Sequence, residues 1–242
     1  MENAIEVKSL RKEFGEKTAV CDISFQVKEG TVFSLLGVNG AGKTTTIRML
    51  SGLSKPTSGE AFVCGKSILN QMHEIKKYSA ISPQDTAIAP NLTVRENLEF
   101  IAEVYGVKQD SSTKKIVQLE QQFELTEVMK QKAKTLSGGW QRKVSIAMAL
   151  ITEPKVLYLD EPTLGLDVLS RRELWRNIEK LKGKMTIILT THYMEEAEKL
   201  SDYVAVMVAG EIKACGTVEE LKQLTSTDSL ENAFIAIAEE GK

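Results

Sequence analysis

Apolar positions recur in two rhythms along the 242 residues. Short apolar stretches at 4–7, 19–27 and 31–36 predict strands, with Lys28-Glu29-Gly30 as a turn before the third. The third stretch runs into a glycine-rich loop, and helical spacing then holds over 44–50. Further strands are predicted at 60–64 and 78–81. From Asn91 to about Ile151 the rhythm changes, with Leu92, Leu98, Ile101 and Tyr105 spaced for one buried helix face. Thr93 and Glu96 stand at capping-box spacing for the start of that helix. Ile116, Leu119 and Phe123 predict a second helix and 144–151 a third, closed by Glu153-Pro154. Near-continuous apolar strands at 156–159, 186–189 and 204–208 then alternate with helical patterns at 170–181 and 194–200. That alternation implies a parallel sheet covered on both faces. A short hairpin at 210–216, a helix at 218–224, a polar break at 225–229 and a final helix of about ten residues complete the chain.

The length suits one α/β domain with a helical insert between two halves of a sheet. Lysine and arginine number 31 against 33 for aspartate and glutamate, and the pI is near 5.9. This balance offers no electrostatic footprint for nucleic acid and no polybasic membrane anchor. Cys21, Cys64 and Cys215 are far apart, so neither a disulfide framework nor a zinc site is expected. Glu2, Glu6, Lys8, Arg11 and Lys12 leave no room for a signal-peptide core. No apolar run approaches the roughly 18 to 20 residues of a membrane-spanning helix, so any membrane part is expected on another polypeptide.

Three motifs bear chemistry. Gly37-Val38-Asn39-Gly40-Ala41-Gly42-Lys43-Thr44 fits G-x-x-x-x-G-K-[ST] at every fixed position, between a predicted strand and a predicted helix. Gly40 and Gly42 let successive N–H groups face phosphates, Lys43 supplies a point charge and Thr44 a hydroxyl for Mg²⁺. Asp160-Glu161 ends a buried strand where ligands of open α/β sheets gather. Because adjacent strand residues face opposite sides, the two carboxylates are expected to divide their work, Asp160 toward Mg²⁺ and Glu161 toward the attacking water. Leu136-Ser137-Gly138-Gly139 opens a helix with free N–H groups and the positive end of its dipole, a second anion-binding surface. A single nucleotide needs only one cradle, so this surplus points to a nucleotide held by another copy.

Those residues resemble the nucleotide-binding subunits of ABC transporters, a likeness that runs from about Ile5 to about Leu224. Phe14 before the cradle, Gln84 after it, Gly165-Leu166-Asp167 past the carboxylates and His192 after the next strand fall in the family's order. The resemblance implies a P-loop NTPase fold of the α/β class, with a mainly parallel sheet, N-terminal antiparallel strands and an inserted helical subdomain. It places the cassette at 1–224, the helical subdomain at about 86–155 and a C-terminal helical extension at 225–242. It implies ATP and Mg²⁺ as cofactors. Phosphate contacts would come from Gly37, Asn39, Gly40, Ala41, Gly42, Lys43, Thr44 and Thr45, and the adenine would stack on Phe14. Thr44, Gln84 and Asp160 would hold Mg²⁺, Glu161 would act as general base, and His192 would contact the γ-phosphate and orient the water. Ser137, Gly138 and Gly139 would cap the ATP of a second copy or a paralogous subunit, with Asp167 at the seam.

Thr191-His192-Tyr193-Met194-Glu195-Glu196-Ala197 and Ser229-Leu230-Glu231-Asn232-Ala233-Phe234 look like the ABC-2 drug and lipid exporter branch. That likeness implies a separate transmembrane permease as partner, at the cytoplasmic face of the cell membrane. Read without the resemblance, Phe14 is equally a core plug, Gln84 an exposed loop residue and His192 a helix-start histidine. Two other functions stay open. One is a soluble ABC ATPase acting on ribosomes or DNA, although the paired cassettes, long coiled coils and zinc modules usual there are missing. The other is a nucleotide sensor that barely hydrolyses ATP. Its one support is Trp140, which stands where the family usually has Gln, and the presence of Glu161 and His192 speaks against it.

Overall fold

Two sheets organise the chain, and the computed structural model describes residues 2–240 apart from the side chain of Glu240. The chain opens with β1 (Asn3–Phe14), β2 (Lys17–Lys28), β3 (Val32–Leu36) and helix α1 (Lys43–Leu50). Strands β4 (Ser58–Val63) and β5 (Lys66–Ser67), a single turn α2 (Met72–Ile75) and β6 (Ser79–Ser82) follow. Three helices come next, α3 (Val94–Val104), α4 (Gln109–Gln122) and α5 (Gly138–Leu150). The remainder alternates as β7 (Val156–Asp160), α6 (Val168–Glu179), β8 (Thr186–Thr191), α7 (Met194–Leu200), β9 (Tyr203–Val208), β10 (Glu211–Gly216), α8 (Val218–Thr225) and α9 (Leu230–Glu240).

The first sheet runs β2-β1-β4-β5 and is antiparallel throughout. The second runs β10-β9-β3-β8-β7-β6, parallel everywhere except at the β9–β10 edge. Every residue of β3, β7 and β8 is buried. In β7 the two faces separate cleanly. Leu157 and Leu159 join a core with the helical insert and α6, while Val156 and Tyr158 join one with α1 and the antiparallel sheet. This is the period of two expected of a strand covered on both sides. The predicted hairpin at 210–216 is instead a single strand, β10, returning along β9 through Ala209-Gly210.

Helix α3 begins as its sequence predicts. The Thr93 hydroxyl accepts from the Glu96 N–H at 3.2 Å, and the Glu96 carboxylate accepts from the Thr93 N–H at 2.7 Å. The final helix is not isolated, since Leu230, Phe234 and Ile237 share a core with Leu36, Val204 and Val206. Among the described residues no helix is long and apolar enough to cross a membrane. The order of the large sheet sets the site. Strand β3 lies between β8 and β9, so the chain's path reverses beside it and the loops after β3, β7 and β8 meet at one edge.

Candidate nucleotide site

The loop from Gly37 to Gly42 is shaped by glycines where no other residue fits. Gly40 and Gly42 adopt φ +83° and +105°, and a Cβ on Gly42 would lie 2.5 Å from the Ala19 carbonyl oxygen. A Cβ on Gly37 would meet the Met207 carbonyl oxygen at 2.3 Å. No side chain caps the helix that follows, so the first N–H groups of α1 stay available to a ligand. The loop borders a cleft of about 420 Å³ lined also by Phe14, Thr44, Thr45, Gln84 and Glu161. Phe14 ends β1 more than half exposed, with the Lys12 ammonium 4.9 Å from its ring centroid. It is therefore a wall of the cleft and not a core plug.

A buried set of charges closes the inner end. Lys43 is 5% exposed and donates to the Gly37 carbonyl at 2.8 Å, and its ammonium lies 3.0 Å from Glu161 Oε1. Glu161 Oε2 lies 2.8 Å from His192 Nδ1. Asp160 Oδ1 accepts from the Thr44 hydroxyl at 2.9 Å and from the Thr190 hydroxyl at 2.6 Å. The expectation that the two carboxylates face opposite ways fails for a local reason. Strand β7 ends at Asp160, and Glu161 turns into the left-handed region at φ +46°, so strand alternation stops between them. Both side chains reach the same loop, yet they still part company, Asp160 to Thr44 and Glu161 to Lys43 and His192.

The residues present fit ATP and Mg²⁺. The glycine loop fits a phosphate chain because the N–H groups at the start of α1 have no side-chain cap, and the Lys43 charge lines the same cleft. Thr44 and Asp160 offer a hydroxyl and a carboxylate in contact, hard oxygen donors of the kind Mg²⁺ shares with phosphates. Gln84, on the loop after β6, lines the same cleft.

Ser137, Gly138 and Gly139 are not part of this cleft. Ser137 and Gly138 are exposed, and although Ser137 occupies the N-cap position of α5 its hydroxyl makes no capping bond. By contrast the Asp167 carboxylate caps α6 through the Leu169 and Ser170 N–H groups at 3.0 and 3.1 Å. Hydrogen bonds from Ser170 hold that carboxyl below its ordinary range. A Cβ on Gly139 would lie 2.9 Å from Ser170 Oγ, so the start of α5 rests directly on the start of α6. Trp140 is half-buried against the insert's core, with the Lys143 ammonium 4.4 Å from its ring. Gln141, next along, donates to the Ala133 and Leu136 carbonyls and fixes the turn into α5.

Three features escaped the sequence reading. Thr190 accepts the Glu161 N–H at 2.9 Å while donating to Asp160, so one hydroxyl orders both acids. Its signal was the polar Thr190-Thr191 pair closing an apolar strand. Glu196 is buried on α7, where Oε1 accepts from the Thr163 hydroxyl at 2.8 Å and the Trp175 indole at 2.9 Å. Burial pushes its carboxyl above the ordinary range. Arg142 lies buried in α5, and nothing in the helical rhythm marked it.

A family model described as ABC transporter matches residues 20–164. The chain belongs to the ABC transporter family, and it is an ABC ATPase cassette. It is 42% identical over 223 residues to human "Phospholipid-transporting ATPase ABCA3", covering 90% of this chain but 13% of that protein. It is 39% identical over 227 residues to "Linearmycin resistance ATP-binding protein LnrL" of Bacillus subtilis (strain 168), covering 93% of this chain and 73% of that one. Among solved structures it resembles a dimeric ATP-binding cassette in a post-hydrolysis state bound to ADP and Pi. That match has a TM-score of 0.79 and 25% identity, over 88% of this chain and 98% of the other.

Proposed function

We propose that this cassette is the ATP-hydrolysing subunit of a membrane exporter, working as a head-to-tail pair that sandwiches two ATP molecules. The observation that supports it most is the placement of Glu161 between Lys43 and His192 at the inner end of the glycine-lined cleft. The Lys43 ammonium is paired with Glu161. A phosphate chain in the cradle competes for that ammonium and releases the carboxylate to take a proton from water. His192, bonded to the other carboxylate oxygen, orients Glu161 and stands ready for the γ-phosphate. Phe14 presents an exposed ring for the adenine. Thr44 and Asp160, with Gln84, would hold Mg²⁺, which when bound neutralises charge building on the phosphate oxygens.

Ser137, Gly138 and Gly139 would cap the γ-phosphate of the opposite copy. Their exposure and the unused Ser137 hydroxyl support this, as does the dimeric state of the similar solved cassette. The names of the two relatives, a phospholipid-transporting ATPase and a linearmycin resistance ATP-binding protein, support export. Closure and reopening of the pair would drive a separate permease docked between the sheet core and the helical insert at the cytoplasmic membrane face. Two experiments test this reading. Phosphate release from Mg-ATP by the purified chain should disappear in Glu161→Gln while ATP binding persists. The tagged chain should fractionate with membranes only when co-expressed with the polytopic protein encoded beside it. A Glu161→Gln protein with wild-type turnover, or membrane fractionation independent of that protein, would reject the assignment.

A further inference from the structure

Arg142 is 4% exposed, and no carboxylate of the described residues lies within ion-pair distance of it. Its guanidinium instead donates to three backbone carbonyls, those of Pro83 and Gln84 at 2.6 Å each and that of Glu161 at 3.4 Å. A buried cation is costly unless its donors are satisfied. Desolvation indeed pulls its pKa down, against the more distant charges of Asp160, Glu196 and Asp85. A neutral side chain at this place would be cheaper to bury. Only the planar fork of arginine reaches carbonyls on two separate loops at once.

Those two loops are the ones that matter to the cleft. Pro83-Gln84 follows β6 and brings Gln84 to the cleft wall, while Glu161 follows β7 with the carboxylate facing Lys43. One helical turn along α5, the Ser145 hydroxyl meets that of Ser82 at 2.9 Å, a second tie on the same face. On its other side α5 is fastened to α6 by Lys143, 2.9 Å from Glu173, and by the close approach of Gly139 to Ser170.

We propose that Arg142 is a positioning residue that locks α5, with Ser137 at its exposed end, to the Gln84 loop and to Glu161. The cap offered to the opposite ATP and the acid facing the chain's own ATP then move as one body. Docking of a second copy against Ser137 is transmitted through α5 to the backbone of Glu161. Arg142 touches no nucleotide in this scheme. Its effect falls on the geometry of turnover and of closure, and affinity of the single cleft for ATP is left alone. The inference rests on the roles proposed above for Ser137 and Glu161.

The test compares wild type with Arg142→Met, which removes the fork but keeps bulk, and Arg142→Lys, which keeps the charge and loses the fork. Equilibrium ATP affinity of the isolated chain, kcat and thermal unfolding are read for each. ATP affinity should stay within about threefold, while kcat should fall by about tenfold or more in Arg142→Met and by less in Arg142→Lys, the scale expected when a remote change shifts reacting groups. In a Glu161→Gln background, Arg142→Met should also raise the Mg-ATP concentration needed to trap a dimer. If kcat stays within about threefold of wild type in Arg142→Met, the proposal is overturned. It is equally overturned if ATP affinity and kcat fall together, the mark of a fold defect. Where Arg142→Met does not fold, Arg142→Lys is judged by the same two criteria. Failure of Glu161 as base would show separately, as turnover by Glu161→Gln with Arg142 intact.

Discussion

Helices α1 and α5 both start without a side-chain cap, at glycines that leave backbone N–H groups free, yet their surroundings could hardly differ. Around α1 the charges are buried and already paired, with Lys43 on Glu161 and Thr44 on Asp160, at the inner end of the cleft. The start of α5 lies outside that cleft. Ser137 and Gly138 are exposed, and Lys143, one turn into the helix, is occupied by Trp140 and Glu173. On the function proposed above, the comparison separates a phosphate site complete within one chain from an exposed surface that would complete the site of another. The first would need only its ligand, whereas the second would need another molecule's ligand brought to it.

The largest effect should come from the first of these. We predict that Glu161→Gln lowers steady-state turnover by roughly 10²–10⁴-fold, the usual contribution of a positioned general base, while ATP still binds. Lys43→Ala should weaken binding as well as turnover. It should also cost the nucleotide-free protein about 3–5 kcal/mol, because Glu161 is left as a buried charge without its cation. Chemical denaturation of the single variants against the Lys43→Ala/Glu161→Gln double variant checks this, since the double should recover part of that loss. Additive losses would mean the pair is not coupled.

Next in size is the exposed surface. Ser137→Arg should lower activity by about 10²-fold or more, comparable to losing a donor aimed at developing charge, with ATP affinity of the isolated chain unchanged. A parallel loss of affinity would place Ser137 in its own chain's cleft and erase the contrast between the two helix starts.

A stability measurement separates the frame from the chemistry. Glu196→Ala strands the Thr163 and Trp175 donors and should destabilise by on the order of 2–5 kcal/mol, whereas Glu196→Gln keeps an acceptor for both. Because burial holds the native carboxyl above the ordinary glutamate value of 4.5, the folded state takes up the proton more readily. The stability this gives is complete below that pH and is lost as pH rises through the native pKa. Glu196→Gln should therefore flatten the fall in unfolding free energy on the alkaline side of pH 4.5. An unchanged slope would show that the native carboxyl is ionised.

Trp140 should matter least. Packed on the insert's core beneath Lys143, it lies beside the cap and not in it, so Trp140→Gln should change ATPase activity by less than about tenfold, under roughly 1.4 kcal/mol of barrier. A gain of a hundredfold would mark an impaired ATPase and favour the nucleotide-sensor reading.

How far the sequence could be read differs between the two regions for a physical reason. The strand, loop and helix at 31–50 were legible because the chemistry is contiguous, and glycine positions there report backbone needs directly. The helix at 194–200 and the capping box at Thr93 were legible because caps and periodicity are local. Arg142, Thr190 and Glu196 were not. Each works through partners far away in sequence, such as Pro83 for Arg142 or Thr163 for Glu196, and no local pattern encodes that pairing. The turn at Glu161 was misread because strand alternation was carried one residue beyond the strand's end. The length of β10 was missed because its apolar positions alternate at the sheet edge and resemble a turn more than a core strand.

The central claim is that the exposed start of α5 completes the ATP site of a second copy. Its most direct test is the mass of Glu161→Gln by light scattering across a range of protein concentrations, with Mg-ATP, with Mg-ADP and without nucleotide. The account predicts a dimer with Mg-ATP alone, abolished by Ser137→Arg. A chain that stays monomeric with Mg-ATP at every concentration, or dimerises equally with ADP, would contradict it.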